Sequence, residues 1–199
     1  KSISQYYDIE IDRDRRFISQ ETAVELYSRQ LKDAVTIRMR SDVEVGTCLS
    51  GGLDSSTITA MAASLASESG KTIKAIHAKA TEKRLDESFY AEMVAKHTDS
   101  ELNTLEPTVE DFKNVVDTVV AVQEEPFGSP SIVLQYLVLQ KARELNCIVM
   151  LDGQGGDETL LGYSRYYPAY LLEQKGFVAK WKGFMKSSSN SGLSRKEML

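Results

Sequence analysis

The sequence has few cysteines, few histidines and no long apolar run. Its two cysteines and two histidines do not form a CxxC pair or a Cys/His cluster, so neither a disulfide framework nor a zinc site is predicted. Cys48 and Cys147 each lie in a short apolar segment, which predicts buried thiols in a reducing compartment and a cytoplasmic location. The apolar runs are far shorter than the roughly 20 residues of a membrane-spanning helix. No membrane association is therefore predicted.

Positive charge is also scarce. The chain has 24 Lys and Arg residues against 29 Asp and Glu residues, a net charge of -5. This balance argues against a dedicated nucleic-acid surface, so no nucleic-acid partner is predicted. With 42% hydrophobic and 27% charged residues, the 199-residue chain is expected to form one globular domain with a full core.

The most informative segment is residues 45–56, VGTCLSGGLDSS. Residues 45–49 are short, apolar and β-prone and predict a buried strand, whereas an Ala-rich helix is predicted from Asp54 to about residue 68. Between them, Ser-Gly-Gly leaves the backbone almost uncovered, so several N–H groups can converge at the positive end of the helix dipole. The segment predicts a cradle for phosphate or pyrophosphate; the alternative is an ordinary turn in which Asp54 caps the helix.

The pattern at residues 50–55 differs from two common nucleotide motifs. It has no Gly-Lys-Ser/Thr, so it is not a Walker A loop, and its glycines are adjacent, so it is not the dinucleotide fingerprint. The pattern Ser-Gly-Gly-Leu-Asp-Ser resembles the PP-loop of ATP pyrophosphatases, which split ATP between the α- and β-phosphates.

Strand-like and helix-like segments alternate along the chain. Strands are predicted at 45–49, 71–78, 101–105 and 147–151. Helices are predicted from Ser19 or Thr22 to about Arg40, at 54–68, 86–97, 108–122 and 131–145, and over most of 157–174. This alternation predicts an α/β fold with a parallel sheet and helices on both faces. Ligands bind beyond the carboxyl ends of such strands, and both Gly-rich loops, at 50–52 and 152–157, lie at such ends. The two loops are therefore expected to meet at one crevice.

The second loop, residues 152–158, contains three acids and three glycines. We hypothesise that Asp54 and Asp157 meet across the crevice and hold Mg²⁺ on a pyrophosphate leaving group. The alternative is structural, with Asp152 ending a strand and Asp157 capping the next helix.

Several motifs in the same order resemble the synthetase domain of glutamine-hydrolysing asparagine synthetases. They are Ser41-Asp42-Val43, Ser50 to Ser56, Asp86-Glu87-Ser88 with Tyr90-Ala91, Glu125-Pro126-Phe127 with Pro130-Ser131, and the second loop with Gly162-Tyr163. The resemblance covers about residues 20–170. It implies a five-stranded parallel sheet of the adenine nucleotide alpha hydrolase-like, PP-loop ATPase type, with ATP and Mg²⁺ as cofactors. It also implies adenylation of aspartate, followed by attack of ammonia from an N-terminal glutaminase domain.

The resemblance also suggests a domain organisation. Residues 1–18 are expected to be a linker from a glutaminase domain that this chain lacks, 19–185 a C-terminally truncated synthetase domain, and 186–199 a flexible tail. The family's catalytic lysine has no match in the chain. A homodimer is left open.

Site residues follow from the motifs by resemblance. The predicted ATP and pyrophosphate contacts are Leu49, Ser50, Gly51, Gly52, Asp54, Ser55, Ser56, Ala78, Asp152 and Gly153, with Asp54 and Asp157 on the metal. The predicted catalytic residues are Gln154, Asp157 and Asp54. Gln154 departs from the family pattern. Asparagine synthetases have a glutamate at this position, which is implicated in forming or using the adenylate. Related β-lactam-forming enzymes have a tyrosine there. An amide cannot act as a base, although it can orient a substrate or donate to an oxyanion.

Three alternatives to asparagine synthesis are distinguished. An amidotransferase of the same family could act on another carboxylate, such as a sugar acid, a peptide or a β-lactam precursor. A PP-loop enzyme that modifies tRNA would need basic patches and catalytic cysteines, which the composition argues against. A non-catalytic nucleotide-binding domain is the third, because a fold alone does not give a function.

Overall fold

The structure, a computed structural model, describes residues 2–8, 18–163 and 166–190. The chain divides into two compact units between Ser41 and Asp42. In the first unit, helix α1 spans Gln20–Arg38, and the Ser19 hydroxyl caps it by accepting a hydrogen bond from the N–H of Thr22 at 3.2 Å. Ser19 rather than Thr22 therefore begins the first predicted helix. Within the predicted linker at 1–18, residue 1 and residues 9–17 lie outside the described residues.

The second unit contains the alternating strands and helices that the sequence predicts. Its strands are β1 (Glu44–Cys48), β2 (Lys74–Ala78), β3 (Glu101–Leu105) and β4 (Cys147–Leu151). Its helices are α2 (Leu53–Glu68), α3 (Ser88–Thr98), α4 (Val109–Gln123), α5 (Ser131–Glu144), α6 (Gly156–Leu160), α7 (Tyr166–Glu173) and α8 (Phe177–Asn190). The bounds of β3 and β4 agree with the prediction, whereas β1 is displaced by one residue from the predicted 45–49 and β2 begins at Lys74 rather than at residue 71.

The four strands form one parallel sheet in the order β3-β2-β1-β4. The predicted parallel α/β fold is confirmed. The described residues contain four strands rather than the five that the resemblance implies. The described chain beyond Leu151 forms helices and loops, so it adds no further strand to the sheet.

Helices cover both faces of this sheet, as predicted. Ala75 on β2 packs with Ala91 on α3, whereas the next residue, Ile76, packs with Val138 on α5. Because successive side chains of a strand point to opposite faces, α3 and α5 lie on opposite sides of the sheet. Helix α2 packs on β1 and beside α3, and α4 packs on α5. The core is thus two apolar layers separated by a short sheet.

The chain after the second loop differs from the prediction. The helical segment expected at 157–174 is divided, since α6 ends at Leu160 and α7 begins at Tyr166. Helix α8 reaches Asn190, so residues 186–190 of the predicted flexible tail are helical, whereas residues 191–199 lie outside the described residues. The aromatic spacing of Phe177, Trp181 and Phe184 favours this helix over the coil expected from the serines. Among the described residues, no helix has the length and apolar character needed to cross a membrane.

Candidate active site

A cleft of about 730 Å³ opens where β1 and β4 end. These strands are parallel neighbours, and Thr47 pairs with Leu151, so the loops at 50–52 and 152–156 leave the sheet side by side. The next strand along the chain, β2, lies on one side of β1, whereas β4 lies on its other side. The strand order therefore reverses at β1. In open α/β sheets, ligands bind at such a reversal of strand order. The cleft is lined by both loops, the first turn of α2, the ends of β1 and β2, and one face of α5.

Two serines fix the first loop. The Ser55 hydroxyl, buried in the first turn of α2, accepts a hydrogen bond from the N–H of Ser50 at 3.1 Å. The Ser50 hydroxyl oxygen lies 2.8 Å from that of Ser55 and accepts from the N–H of Gly52 at 3.1 Å. The N–H groups of Ser50 and Gly52 are thus used inside the loop, rather than all being turned toward the cleft as the sequence suggested.

The N-terminus of α2 remains available to a ligand. Gly52 is the N-cap residue of α2, and no side chain caps the helix, so the alternative in which Asp54 merely caps it is wrong. Leu53, Asp54 and Ser55 of the first turn line the cleft. Because the first N–H groups of a helix lack partners within the helix, this turn presents the positive end of the α2 dipole.

The first loop rests on the start of α3. Gly51 has φ +100°, and a Cβ at this position would lie 2.7 Å from the carbonyl oxygen of Glu87 and 3.1 Å from the Glu87 Cβ. Both the backbone conformation and the close approach require glycine here.

The second loop packs directly against the beginning of α2. A Cβ on Gly153 would lie 2.7 Å from the backbone nitrogen of Ser55 and 2.9 Å from the carbonyl carbon of Asp54. A Cβ on Gly156 would overlap the Asp54 carboxylate. The two glycines therefore allow the loops to meet around Asp54, and the structure brings them together at the crevice that the sequence predicted.

Two carboxylates face the same cleft. Asp54 and Asp157 both line it and both are half-buried. The Asp157 side chain lies against Gly162, whose Cβ would overlap one of its carboxylate oxygens, and α6 has no side-chain cap. Asp157 therefore does not cap its helix as the structural alternative required. Within residues 2–8, 18–163 and 166–190, no group of three or more His, Cys, Asp or Glu side chains could hold a metal. Two carboxylates still fit Mg²⁺, because phosphate oxygens and water supply most of its ligands in nucleotide sites.

The other predicted residues lie at different depths. Ala78 and the buried Leu49 line the cleft at its floor, and Asp152 and Gln154 are exposed at its rim. Gly51 and Ser56 do not line the cleft. Ser56 instead makes the first backbone hydrogen bond of α2, donating to the Gly52 carbonyl at 3.0 Å.

One wall of the cleft and one buried histidine were not predicted from the sequence. The wall is a face of α5 formed by Ser131, Leu134, Gln135 and Val138. Their spacing is visible in the sequence, but it is equally typical of a helix face packed on a core. His77, treated as isolated, is 2% exposed and hydrogen-bonds to the Leu49 carbonyl and the Ser88 hydroxyl. The sequence did offer one signal for this histidine, namely its position near the end of the predicted strand β2, followed by Asp86 and Ser88.

Cys48 also lines the cleft, but its thiol is inert. Burial, assisted by the negative charge of Asp152, raises the pKa of Cys48 to about 12. The thiolate is the nucleophilic form of cysteine, and it is not populated at neutral pH with this pKa. Covalent catalysis by Cys48 is therefore not part of the chemistry of this site.

The chain is similar to a known protein family and to several known proteins. A family model described as asparagine synthase matches residues 26–198. The chain is 32% identical over 186 residues to a putative glutamine-hydrolyzing asparagine synthetase 2 of Methanocaldococcus jannaschii, which covers 94% of this chain and 35% of that protein. It is 31% identical over 134 residues to the glutamine-hydrolyzing asparagine synthetase 1 of Bacillus subtilis, covering 67% of this chain and 20% of that protein.

A relative with a different name is also similar. The amidase chyE of Penicillium rubens is 26% identical over 183 residues, which cover 84% of this chain and 27% of that protein. The chain thus spans about a third or less of the length of these relatives. The family model matches most of the chain, and the structure has a parallel sheet whose two Gly-rich loops meet at one cleft. The chain therefore belongs to the asparagine synthase family.

Proposed function

We propose that this chain is the ATP-binding part of an enzyme that forms amides by adenylating a carboxylate. The observation that carries the proposal is the cleft where an uncapped helix N-terminus, two Gly-rich loops and two carboxylates meet. A helix N-terminus attracts phosphate oxygens, and glycine backbones let a phosphate approach closely. Membership of the asparagine synthase family supports the same chemistry.

The proposed reaction has two steps. An oxygen of the substrate carboxylate attacks the α-phosphorus of ATP, the bond from that phosphorus to the bridging oxygen breaks, and pyrophosphate leaves. Ammonia then attacks the acyl carbon of the adenylate, the bond from that carbon to the AMP oxygen breaks, and the nitrogen loses one proton to solvent as AMP leaves and the amide forms. The first step needs a site for departing pyrophosphate rather than a lysine on the γ-phosphate, which suits a loop without the Walker A lysine.

In this proposal, different residues of the cleft bind different parts of ATP. The first turn of α2, with Asp54 and Ser55, binds the pyrophosphate beside Ser50 and Gly52. Leu49 and Ala78 contact adenine at the floor of the cleft, and Asp152 and Gly153 border the ribose or the adenylate.

Two carboxylates that line the cleft have the oxygen chemistry that suits Mg²⁺. Asp54 and Asp157 are the residues that would hold it. The ion supplies compensation for the negative charge that develops on pyrophosphate.

The proposed substrate is aspartate, and the proposed nitrogen source is ammonia released from glutamine by a separate domain. Both come from the relatives, whose names identify glutamine-hydrolyzing asparagine synthetases. This chain covers only 35% of the first of them, so the glutaminase step concerns the full-length protein.

The direct test uses the full-length protein with ATP, Mg²⁺, an ammonium salt and L-aspartate, with separation of the nucleotide products. We expect AMP and pyrophosphate to form only when aspartate is present. AMP formation without aspartate dependence would favour another carboxylate. ATP binding without AMP, whichever carboxylate is supplied, would favour a non-catalytic nucleotide-binding domain.

The second candidate is an amidotransferase that acts on another carboxylate, and Gln154 is the observation that favours it. This side chain is exposed at the rim of the cleft, where asparagine synthetases are expected to have a carboxylate. The similarity to an amidase of Penicillium rubens supports a family whose acceptors vary.

The substitution Gln154→Glu separates these candidates. General acid–base groups contribute about 10²- to 10⁴-fold, so we expect the variant to form amide from aspartate at least about tenfold faster. Gln154→Leu is the matched control, because it keeps the size without a polar group. An unchanged rate in Gln154→Glu would show that this side chain does not decide the use of aspartate.

A further inference from the structure

One wall of the cleft, formed by α5, is not accounted for by the proposed reaction. Its side chains recur at every third or fourth position and so share one face of the helix. They are Ser131, Leu134, Gln135 and Val138. Val138 is buried and packs with Ile76 on β2, in the same apolar cluster that Ala78 contacts. The α5 wall thus begins at the cleft floor, beside a residue that the proposed function assigns to adenine.

Charge divides the cleft into two sides. Among the described residues, the acidic side chains that line it come from α2, the second loop and α6, and they are Asp54, Asp152, Asp157 and Glu158. The α5 wall carries no charge and combines two apolar side chains with a hydroxyl and an amide. ATP is divided in the same way, because its phosphates are charged, whereas its base is neutral. The phosphates with Mg²⁺ suit the acidic side, and the base suits the α5 wall.

The fold leads a bound nucleotide from one side to the other. Helix α2 packs beside α3 on one face of the sheet, whereas α5 covers the opposite face. A nucleotide with its pyrophosphate at the N-terminus of α2 and its base over Ala78 extends across the ends of β1 and β2. Its base then lies next to α5.

Gln135 is the residue of the α5 wall that can recognise an adenine edge. It is almost one helical turn before Val138, about 4.5 Å nearer the start of α5 at a rise of about 1.5 Å per residue. Its side chain is exposed in the cleft, and within the described part of the chain its amide makes no hydrogen bond. One acceptor atom and two N–H donors therefore remain available to a ligand.

The amide of a glutamine is complementary to one edge of adenine. Its oxygen can accept from the N6 amino group while its nitrogen donates to N7, a pairing that also recurs in DNA recognition. Hypoxanthine has a carbonyl oxygen in place of the N6 amino group, so the same edge offers two adjacent acceptors. Pairs of this kind discriminate against the wrong base by about ten- to a hundredfold.

We propose that Gln135 is the residue that makes this site specific for adenine. Its Oε1 atom accepts a hydrogen bond from the N6 amino group and its Nε2–H donates to N7, while Leu134 and Val138 cover one face of the ring. This inference deepens the proposed function, on which it rests for the position of the base near Ala78.

Contact with the substrate carboxylate is the alternative role for Gln135. That carboxylate must reach the α-phosphorus, which lies between the pyrophosphate and the ribose. The residues assigned to this part of the nucleotide, Asp152 and Gly153, are on the second loop, as is Gln154. Gln135 is instead on the wall beside the base. The two glutamines therefore have separate targets, the base for Gln135 and the acceptor for Gln154.

Equilibrium binding of three nucleotides to the full-length protein tests the base contact without requiring turnover. The nucleotides are ATP, inosine triphosphate and 7-deaza-ATP, each with Mg²⁺ and without a carboxylate substrate. Inosine triphosphate has a carbonyl oxygen in place of the N6 amino group, and 7-deaza-ATP has carbon in place of N7. We expect the wild-type protein to bind ATP at least about tenfold more tightly than inosine triphosphate and about fivefold more tightly than 7-deaza-ATP.

Two substitutions of Gln135 give different expected patterns. Gln135→Leu removes the amide at similar size, so it should weaken ATP binding about tenfold and bring the three affinities within about threefold of one another. Gln135→Glu keeps an acceptor for the N6 amino group but loses the donor to N7, so ATP should bind more weakly while inosine triphosphate remains disfavoured. Gln140→Leu is the matched control, because Gln140 is exposed on the same helix outside the cleft, and it should change none of the affinities.

Equal wild-type affinities for ATP and inosine triphosphate, or an unchanged ratio in Gln135→Leu, would overturn the inference. Wild-type binding of 7-deaza-ATP as tight as that of ATP would exclude the N7 contact and overturn it as well. A raised KM for aspartate in Gln135→Leu, with the nucleotide ratio unchanged, would assign the side chain to the acceptor instead.

The proposed function is tested apart from these results, because AMP formation is measured separately. Base discrimination that depends on Gln135, in a protein that forms no AMP with any carboxylate, would refute the proposed reaction and leave the role of Gln135 standing. A wild-type protein that binds none of the three nucleotides would refute both.

Discussion

Replacing Asp157 with asparagine is expected to slow AMP formation by about a thousandfold, because a metal site contributes several kcal/mol and 1.4 kcal/mol is a factor of ten. The amide has the size of the carboxylate but not its charge, so it binds Mg²⁺ weakly. The half-buried position of Asp157 in the cleft that Asp54 also lines is the structural basis for this expectation. The Mg²⁺ concentration that gives half the maximal rate should rise in parallel, and a titration at saturating ATP measures it.

Glu158→Gln is the matched control for Asp157→Asn. Glu158 is the next residue, lines the same cleft and loses the same charge, but its Oε1 atom accepts a hydrogen bond from the Tyr163 hydroxyl at 2.8 Å. A metal role that is specific to Asp157 predicts a much smaller change in Glu158→Gln. Equal losses in the two variants would instead indicate a general effect of negative charge. An unaltered Mg²⁺ dependence in Asp157→Asn would exclude the metal role.

Replacing Gly153 with alanine is expected to separate the second loop from α2. The added Cβ would lie 2.7 Å from the Ser55 nitrogen and 2.9 Å from the Asp54 carbonyl carbon, and both are backbone atoms that cannot rotate away. Overpacking of this kind costs about 1–3 kcal/mol. We expect a loss of stability at the upper end of that range and an even larger loss of ATP affinity, because the cleft itself is widened. Thermal unfolding and a nucleotide titration measure the two effects.

Substitutions at two further glycines distinguish backbone strain from steric overlap with neighbouring atoms. Gly155 has φ +96° and no atom within 4 Å of an added Cβ, so Gly155→Ala introduces backbone strain alone, worth about 1–2 kcal/mol. Gly128 has neither a positive φ nor a close neighbour, so Gly128→Ala should change stability by less than about 0.5 kcal/mol. If Gly153→Ala were as mild as Gly128→Ala, the tight contact between the second loop and α2 would be refuted.

Local patterns determined much of the fold. The strand at β1, the Ser-Gly-Gly loop and the helix α2 follow from neighbouring residues, because apolar runs, small residues and helix formers act within a few positions. The start of α4 at Thr108 is another local result, since its hydroxyl and the Asp111 carboxylate cap each other's backbone N–H groups. The alternation of such segments was sufficient to predict a parallel sheet with helices on both faces.

Other parts of the structure differ from the prediction because local signals conflict there or because the groups meet only in the folded chain. The serines at 187–189 suggested coil, yet α8 continues to Asn190. The Ser55 hydroxyl gave no local sign that it would occupy the N–H of Ser50, because the loop must first close for the two groups to meet. The cleft face of α5 has the same spacing as a core face, so only its position in the fold distinguishes the two.

The sequence by itself determined that two Gly-rich loops with acids follow apolar strands, and that the family is one of PP-loop enzymes. Only the tertiary structure decided that β4 pairs with β1, because strand pairing between residues about a hundred positions apart depends on the packing of the whole sheet. That pairing brings Gly153 and Gly156 against Asp54. It was also the fold that joined His77 to Leu49, Ser88 and Asp86, since hydrogen bonds between distant residues form only when the backbone has placed their atoms.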